Sequence, residues 1–115
     1  MTLFAWSSQA AGFFTGRYRE NDRESTLATR ETARVWFNPG NFQRLQRVRE
    51  LAALRAVTPN QVALAYVLCE LENAHALVGP ETVEELRQSF ETLALNLSTA
   101  ERRWLNLESE VAPSI

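Results

Sequence analysis

The chain has 115 residues, and its 12 basic side chains, all arginine, face 14 acidic ones, of which 13 are Glu and one is Asp22. Without a lysine there can be no Schiff-base lysine, no P-loop lysine and no catalytic tetrad that needs one; a single His (His75) and a single Cys (Cys69) cannot build a zinc site from His and Cys alone. A formal charge of −2 gives no reason to expect nucleic acid as a partner.

The length suits one domain over residues 1–115, able to bury roughly 65% of its unfolded surface. No run approaches the ~18 apolar residues of a membrane span, so no membrane partner is expected. Met1–Trp6 lacks the basic region of a signal peptide, and one cysteine excludes an internal disulfide. Together these predict a cytoplasmic protein. Residues 1–55 carry nine Arg and five acids, whereas 56–115 carry three Arg and nine acids. The asymmetry reads as two solvated surfaces or as a first half facing an anionic ligand.

Leu3-Phe4-Ala5-Trp6 reads as a buried strand, ended by Ser7-Ser8-Gln9 and followed by a turn or short helix framed by Gly12 and Gly16. Residues 17–34 are polar and aperiodic, which predicts a long loop reaching about residue 38. Asn38-Pro39-Gly40-Asn41 introduces an amphipathic helix with Phe42, Leu45, Val48, Leu51 and Ala52 on one face. Arg44, Arg47 and Arg55 fill its remaining positions and read as a solvated face.

Three capping boxes follow, opened by Thr58, Thr82 and Ser98 and answered by Gln61, Glu85 and Glu101. The helix opened by Thr58 is apolar nearly all round, hence sandwiched between layers, and Cys69 within it reads as a small buried hydrophobe. Ala74–Val78 reads as a parallel strand buried on both faces, with His75 a strand residue whose ring is satisfied. The order of elements predicts an α/β fold, mostly helical with two short parallel strands. Two strands cannot make such a sheet alone, so either further strands come from elsewhere or these segments are not strands.

Two places could carry chemistry. At 78–86 a strand end, Gly79 and a capped helix start offer free amides and a helix dipole to an anion. The same pattern serves an ordinary strand-to-helix connection, and Glu81, Glu84 and Glu85 would repel a phosphate. Trp6 with Ser7-Ser8-Gln9 is the second place. Its ring could stack on a planar ligand, or it could be a core tryptophan. No residue is read as catalytic and none as a metal ligand.

These segments together resemble the aldo/keto reductase family. Phe4 to Tyr18 is similar to its "YSPLA-x-G-x-x-TGKY" segment, Asn41 to Leu45 to "ENFERL", and Val57 to Tyr66 to "VTPAQVALAW". Leu77 to Leu86 is similar to "IPGxRTxEQL", and Leu97-Ser98 with Trp104-Leu105 to the closing "LSxEExxxLD". The resemblance implies the C-terminal portion of an eight-stranded α/β (TIM) barrel, a partial domain whose two strands match the seventh and eighth. It implies an oxidoreductase using NADP or NAD to reduce aldehydes and ketones. The family's Asp, Tyr, Lys and His tetrad has no counterpart here, so this chain is expected to be inactive alone. Dinucleotide and small carbonyl substrate are partners only when the missing N-terminal part is supplied.

The resemblance also carries cofactor-binding positions. Trp6 matches the ring that stacks on the nicotinamide. Ser7, Ser8, Gln9 and Ala10 match the loop beside the pyrophosphate, Arg17 a basic residue near it, and Gly79 the glycine after the eighth strand. Glu81, Glu85 and Ser89 stand where the family favours Arg or Ser, Gln, and Asn around the 2′-phosphate. Glu81 and Glu85 disfavour that phosphate, so NADH is expected over NADPH. The alternative is a small helical protein derived from the barrel. It would self-associate or dock on a partner through exposed sheet edges and the apolar faces of the 42–54 and 59–71 helices.

Overall fold

The computed structural model describes residues 2–5, 10–15, 18–19, 27–70 and 72–114. Strand β1 (Leu3–Ala5) leads into a 3₁₀ helix (Ala10–Thr15), then helices α1 (Leu27–Trp36), α2 (Pro39–Arg55) and α3 (Pro59–Glu70). Strand β2 (Ala74–Ala76) follows, then α4 (Val83–Glu91), a 3₁₀ turn (Thr92–Ala94) and α5 (Thr99–Leu105). The result is α/β and mostly helical.

The strands pair in parallel, with Leu3 opposite Ala74, Phe4 opposite His75 and Ala5 opposite Ala76. The Leu77 amide extends the ladder by donating to the Ala5 carbonyl at 2.9 Å. Helix α3 packs on β2. The other face is open: Phe4 is 63% exposed, His75 is exposed, and their rings stack at 5.4 Å. The sequence predicts strands buried on both faces. The structure covers only the α3 side, because no further strand or helix among the described residues lies on the other.

The predicted loop over 17–38 contains α1. Among the side chains described, Thr32 and Ala33 are buried, Trp36 is half-buried, and Phe37 just beyond the helix is buried. These residues make a stripe at helical spacing, but a threonine and an alanine are among them, so the run reads as polar. The stripe packs on a cluster of Phe13, Ala33, Phe37 and Leu45, with Phe42 and Tyr18 against it. Phe13, Phe37 and Phe42 meet at ring separations of 5.1 to 5.9 Å, in tilted and edge-on contacts.

Helix α2 starts as its sequence predicts. Asn38 caps it by accepting from the Asn41 amide at 2.8 Å, and Pro39 occupies the first turn. Its end is not marked by glycine. Ala56 takes the left-handed conformation at φ 55°, donating to the Ala53 carbonyl, while the Val57 amide reaches the Ala52 carbonyl. That is a Schellman motif built on alanine. Leu107, at φ 64°, closes α5 in the same way, with Leu107 donating to Trp104 and Glu108 to Arg103.

The main core joins Val48, Leu51 and Ala52 of α2 to Val62 and Ala65 of α3 and to Leu97, Trp104 and Leu105. The apolar faces expected to be exposed on the 42–54 and 59–71 helices are therefore largely buried against each other. Cys69 is half-buried against this core, with its thiol 4.0 Å from the Leu95 carbonyl. The uncovered apolar stripe lies instead on α4, where Val83, Leu86 and Phe90, with Leu93 beyond, are all exposed.

Two arginines expected on a solvated face are structural. Arg47 is 6% exposed, donates to the carbonyls of Trp104 at 2.6 Å and Ser109 at 2.7 Å, and pairs with Glu110 at 2.8 Å. Its guanidinium also lies over the Trp104 ring, 5.3 Å from the centroid. Arg55 makes a two-pronged pair with the buried Glu101 carboxylate at 2.8 and 2.7 Å and donates to the Asn96 carbonyl at 3.1 Å. A fork of five N–H groups suits carbonyl-rich sites, which helical periodicity alone cannot distinguish from a surface position.

Candidate functional site

The parallel register fixes where the candidate positions leave the sheet. Ala5 and Ala76 are opposite each other, so the segment that follows β1 and the segment that follows β2 depart from the same end of the pair. The carboxyl ends of parallel strands are where α/β folds place ligands. The first group of predicted positions, Trp6, Ser7, Ser8, Gln9 and Arg17, lies outside the described residues. Ala10 opens the 3₁₀ helix.

The second group is described in full. Residues 77–87 are exposed. Around Gly79 the space a β-carbon would occupy holds nothing within 4 Å, so the chain itself places no packing demand for glycine there. Thr82 is extended at φ −129° and ψ 158° and caps α4, its hydroxyl accepting from the Glu85 amide at 3.1 Å. The expected capping box is altered on its return arm. The Glu85 carboxylate accepts from the Glu81 amide at 2.7 Å, one residue upstream of the cap. The cause is the exposed bend before Thr82, which turns the Glu81 N–H toward the helix.

By contrast, the boxes at α3 and α5 close reciprocally. Gln61 accepts from the Thr58 amide at 3.0 Å and Glu101 from the Ser98 amide at 2.7 Å. In return the Thr58 hydroxyl accepts from Gln61 at 3.2 Å and the Ser98 hydroxyl from Glu101 at 3.1 Å.

Thus one amide that an incoming anion would use is already held by the chain's own carboxylate. Glu84 is paired with Arg87 through Nε at 2.9 Å and receives Gln88 Nε2 at 3.0 Å. The Arg87 hydrogen bond, with help from Gln88, holds the Glu84 carboxyl below its ordinary value. Arg87 also reaches Glu91 and is thereby committed. Ser89 donates its hydroxyl back to the Glu85 carbonyl at 2.9 Å. Glu81 and Ser89 are each linked to Glu85, one on either side of it, so the start of α4 presents the Glu81 and Glu85 carboxylates. Among the described residues no group of three or more His, Cys, Asp or Glu side chains could hold a metal ion. No single helix among them is long and apolar enough to cross a membrane.

Sequence reasoning placed Arg44 on a solvated face, whereas it is half-buried and lines a cavity; the available signal was an arginine one turn before Val48 on a helix whose other face is apolar.

The parallel pair, the intervening helices and the capped helix after β2 define an α/β protein with a candidate ligand site at the strand ends. The family model for the aldo/keto reductase family matches residues 1–105, so the chain belongs to the aldo/keto reductase family. A curated relative, the aldo-keto reductase yakc [NADP(+)] of Schizosaccharomyces pombe, is 24% identical over 103 residues, covering 87% of this chain. The chain spans 30% of that relative's length.

Proposed function

We propose that this chain is the C-terminal portion of an aldo/keto reductase barrel, supplying the cofactor side of the active site and no proton donor. The observation that carries this is the parallel register. It sets the ends of β1 and β2 together, as the seventh and eighth strands of such a barrel would be, with α3 on the outer face. The open face bearing Phe4 and His75 would then be the barrel interior, which neighbouring strands fill with side chains. When bound, the dinucleotide would supply the hydride. The chain's own part is to bind it: Trp6 against the nicotinamide, residues 7–10 and Arg17 near the pyrophosphate, and the 79–89 segment around the adenosine. The relative's name specifies NADP(+). Here, Glu81 and Glu85 would set two carboxylates where a 2′-phosphate would lie, and like charges at close range repel. NADH is therefore the preferred cofactor in this reading.

The test has two arms. The chain alone, with NADH or NADPH and a reactive aldehyde such as 4-nitrobenzaldehyde, should show no turnover above buffer, since no lysine is available to the tetrad. Turnover in that arm would overturn the reading. In the second arm, a polypeptide carrying the first six strands of a family barrel is supplied in trans. Restored oxidation of NADH in preference to NADPH is expected. Replacing Glu81 and Glu85 by Gln should then narrow that preference.

A second reading is favoured by the stripe on α4. Val83, Phe90 and Leu93 are 84, 65 and 67% exposed, more than an isolated surface helix ordinarily leaves uncovered. In this reading the chain is a small helical protein that self-associates or docks on a partner through that stripe and the open sheet.

A further inference from the structure

Between the 3₁₀ helix, α2, α3 and the end of α5 lies a cavity of about 170 Å³. Its walls are apolar, with Phe14, Val48, Val62, Tyr66 and Leu105 among them, and its charged lining residue is Arg44. Dry apolar cavities of about 150 Å³ accept benzene, so this space suits one six-membered ring with a small substituent.

Arg44 differs from five arginines whose guanidinium groups reach a carboxylate. Arg34, Arg47, Arg55, Arg87 and Arg103 each reach a carboxylate. Arg44 is half-buried and donates to a neutral acceptor, Asn41 Oδ1, at 3.2 Å. Asn41 in turn donates to the Trp36 carbonyl at 2.9 Å, which fixes the amide that holds the guanidinium. An arginine that is partly withdrawn from water, positioned by a relay and facing no acid among the described residues is a site for an external carboxylate, which can take two of its N–H groups at once.

We infer that this cavity binds a small aromatic monocarboxylate of about benzoate size, its ring against Phe14, Val48, Val62 and Leu105 and its carboxylate on Arg44. The inference does not depend on the reductase reading, because none of the residues lining the cavity is among those placed in the candidate cofactor site. A neutral aromatic would leave the guanidinium without its anion. A free inorganic anion would leave the apolar walls unfilled.

The test is a titration of the full chain, with valine methyl groups observed by NMR. Benzoate, benzyl alcohol and acetate are added in separate arms. Saturable benzoate-induced shifts of Val48, Val62 and Val67 are expected, with each of the other two binding about tenfold or more weakly, the discrimination one charge-assisted contact confers. Arg44→Gln should abolish the preference for benzoate over benzyl alcohol. Val67→Phe, which fills the cavity from its wall, should abolish binding of both. A thermal transition on each variant reports folding. If Val67→Phe does not fold, the Arg44→Gln comparison and the shift map decide. Absence of saturation, equal binding of benzoate and benzyl alcohol to the unmodified chain, or shifts centred elsewhere would overturn the inference.

Discussion

Arg47 is the side chain on which the C-terminal segment depends. It anchors residues 104–110 to α2 through two carbonyls and Glu110, although the three contacts are not equal. Glu110 is 84% exposed, so that pair is solvent-screened and Glu110→Gln should cost less than about 1 kcal/mol. Arg47→Met leaves the Trp104 and Ser109 carbonyls without that donor and removes the cation above Trp104. A loss of about 2–4 kcal/mol is expected in denaturant unfolding, with faster carboxypeptidase release of the tail. The Arg55–Glu101 pair is pH-dependent. The Arg55 hydrogen bond, aided by the Ser98 amide, holds the Glu101 carboxyl below its ordinary value, against a burial that pushes it up. A carboxyl depressed in the folded state binds its proton more readily when unfolded. Its contribution is therefore complete above the ordinary value of about 4.3 and fades as pH falls through the lower folded value. Glu101→Gln should destabilise at neutral pH by about 1–3 kcal/mol, and the gap from the unmodified chain should shrink steadily below about pH 4. A gap that stays constant down to pH 2 would refute the assignment.

At the scale of elements, the starts of α2 to α5 were written in the sequence, and the ends of α2 and α5 were not. A threonine or serine followed by Gln or Glu three residues on, with proline at the first position of α3, has only one local use, and all three boxes formed at least their forward arm. The ends of α2 and α5 use a left-handed alanine and a left-handed leucine, residue types that carry no such signal. At Ala56 this costs backbone strain that glycine would not incur. Ala56 is exposed, so no packing opposes the change, and Ala56→Gly should raise stability by about 1 kcal/mol, read as a higher denaturant midpoint at unchanged slope. Helix α1 was illegible for another reason. Its buried positions include Thr32 and Ala33, and Ala33 gains its value as core from a cluster with Phe13, a residue distant in sequence. The candidate site divides along the same line. Gly79 and Thr82 were legible as a strand-to-helix junction. The turn of the Glu85 carboxylate onto the Glu81 amide depends on backbone direction in an exposed bend, which the sequence does not encode as a motif.

The whole molecule separates its stability from its surface. The core runs through α2, α3 and α5, while α4 contributes no buried residue and holds its shape by capping and by the Glu84–Arg87–Glu91 ladder. Substitutions on the α4 stripe should accordingly leave folding nearly untouched, within about 0.5 kcal/mol, as for other exposed positions. They should strongly change what the chain sticks to, because Phe90 and Leu93 are large apolar side chains facing water. Both readings of function need that stripe covered, one by the rest of a barrel and the other by another copy or partner. The Phe90→Gln, Leu93→Gln double variant is informative for that reason. Sedimentation velocity over a range of concentrations should show association in the unmodified chain and its reduction in the variant at matched thermal stability. Association that persists unchanged in the variant would move the contact to the open sheet, where Phe4 and His75 stack and the strand edges are unpaired among the described residues. Phe4→Gln then becomes the discriminating change, since it alters that face without touching the ladder that holds β1 to β2.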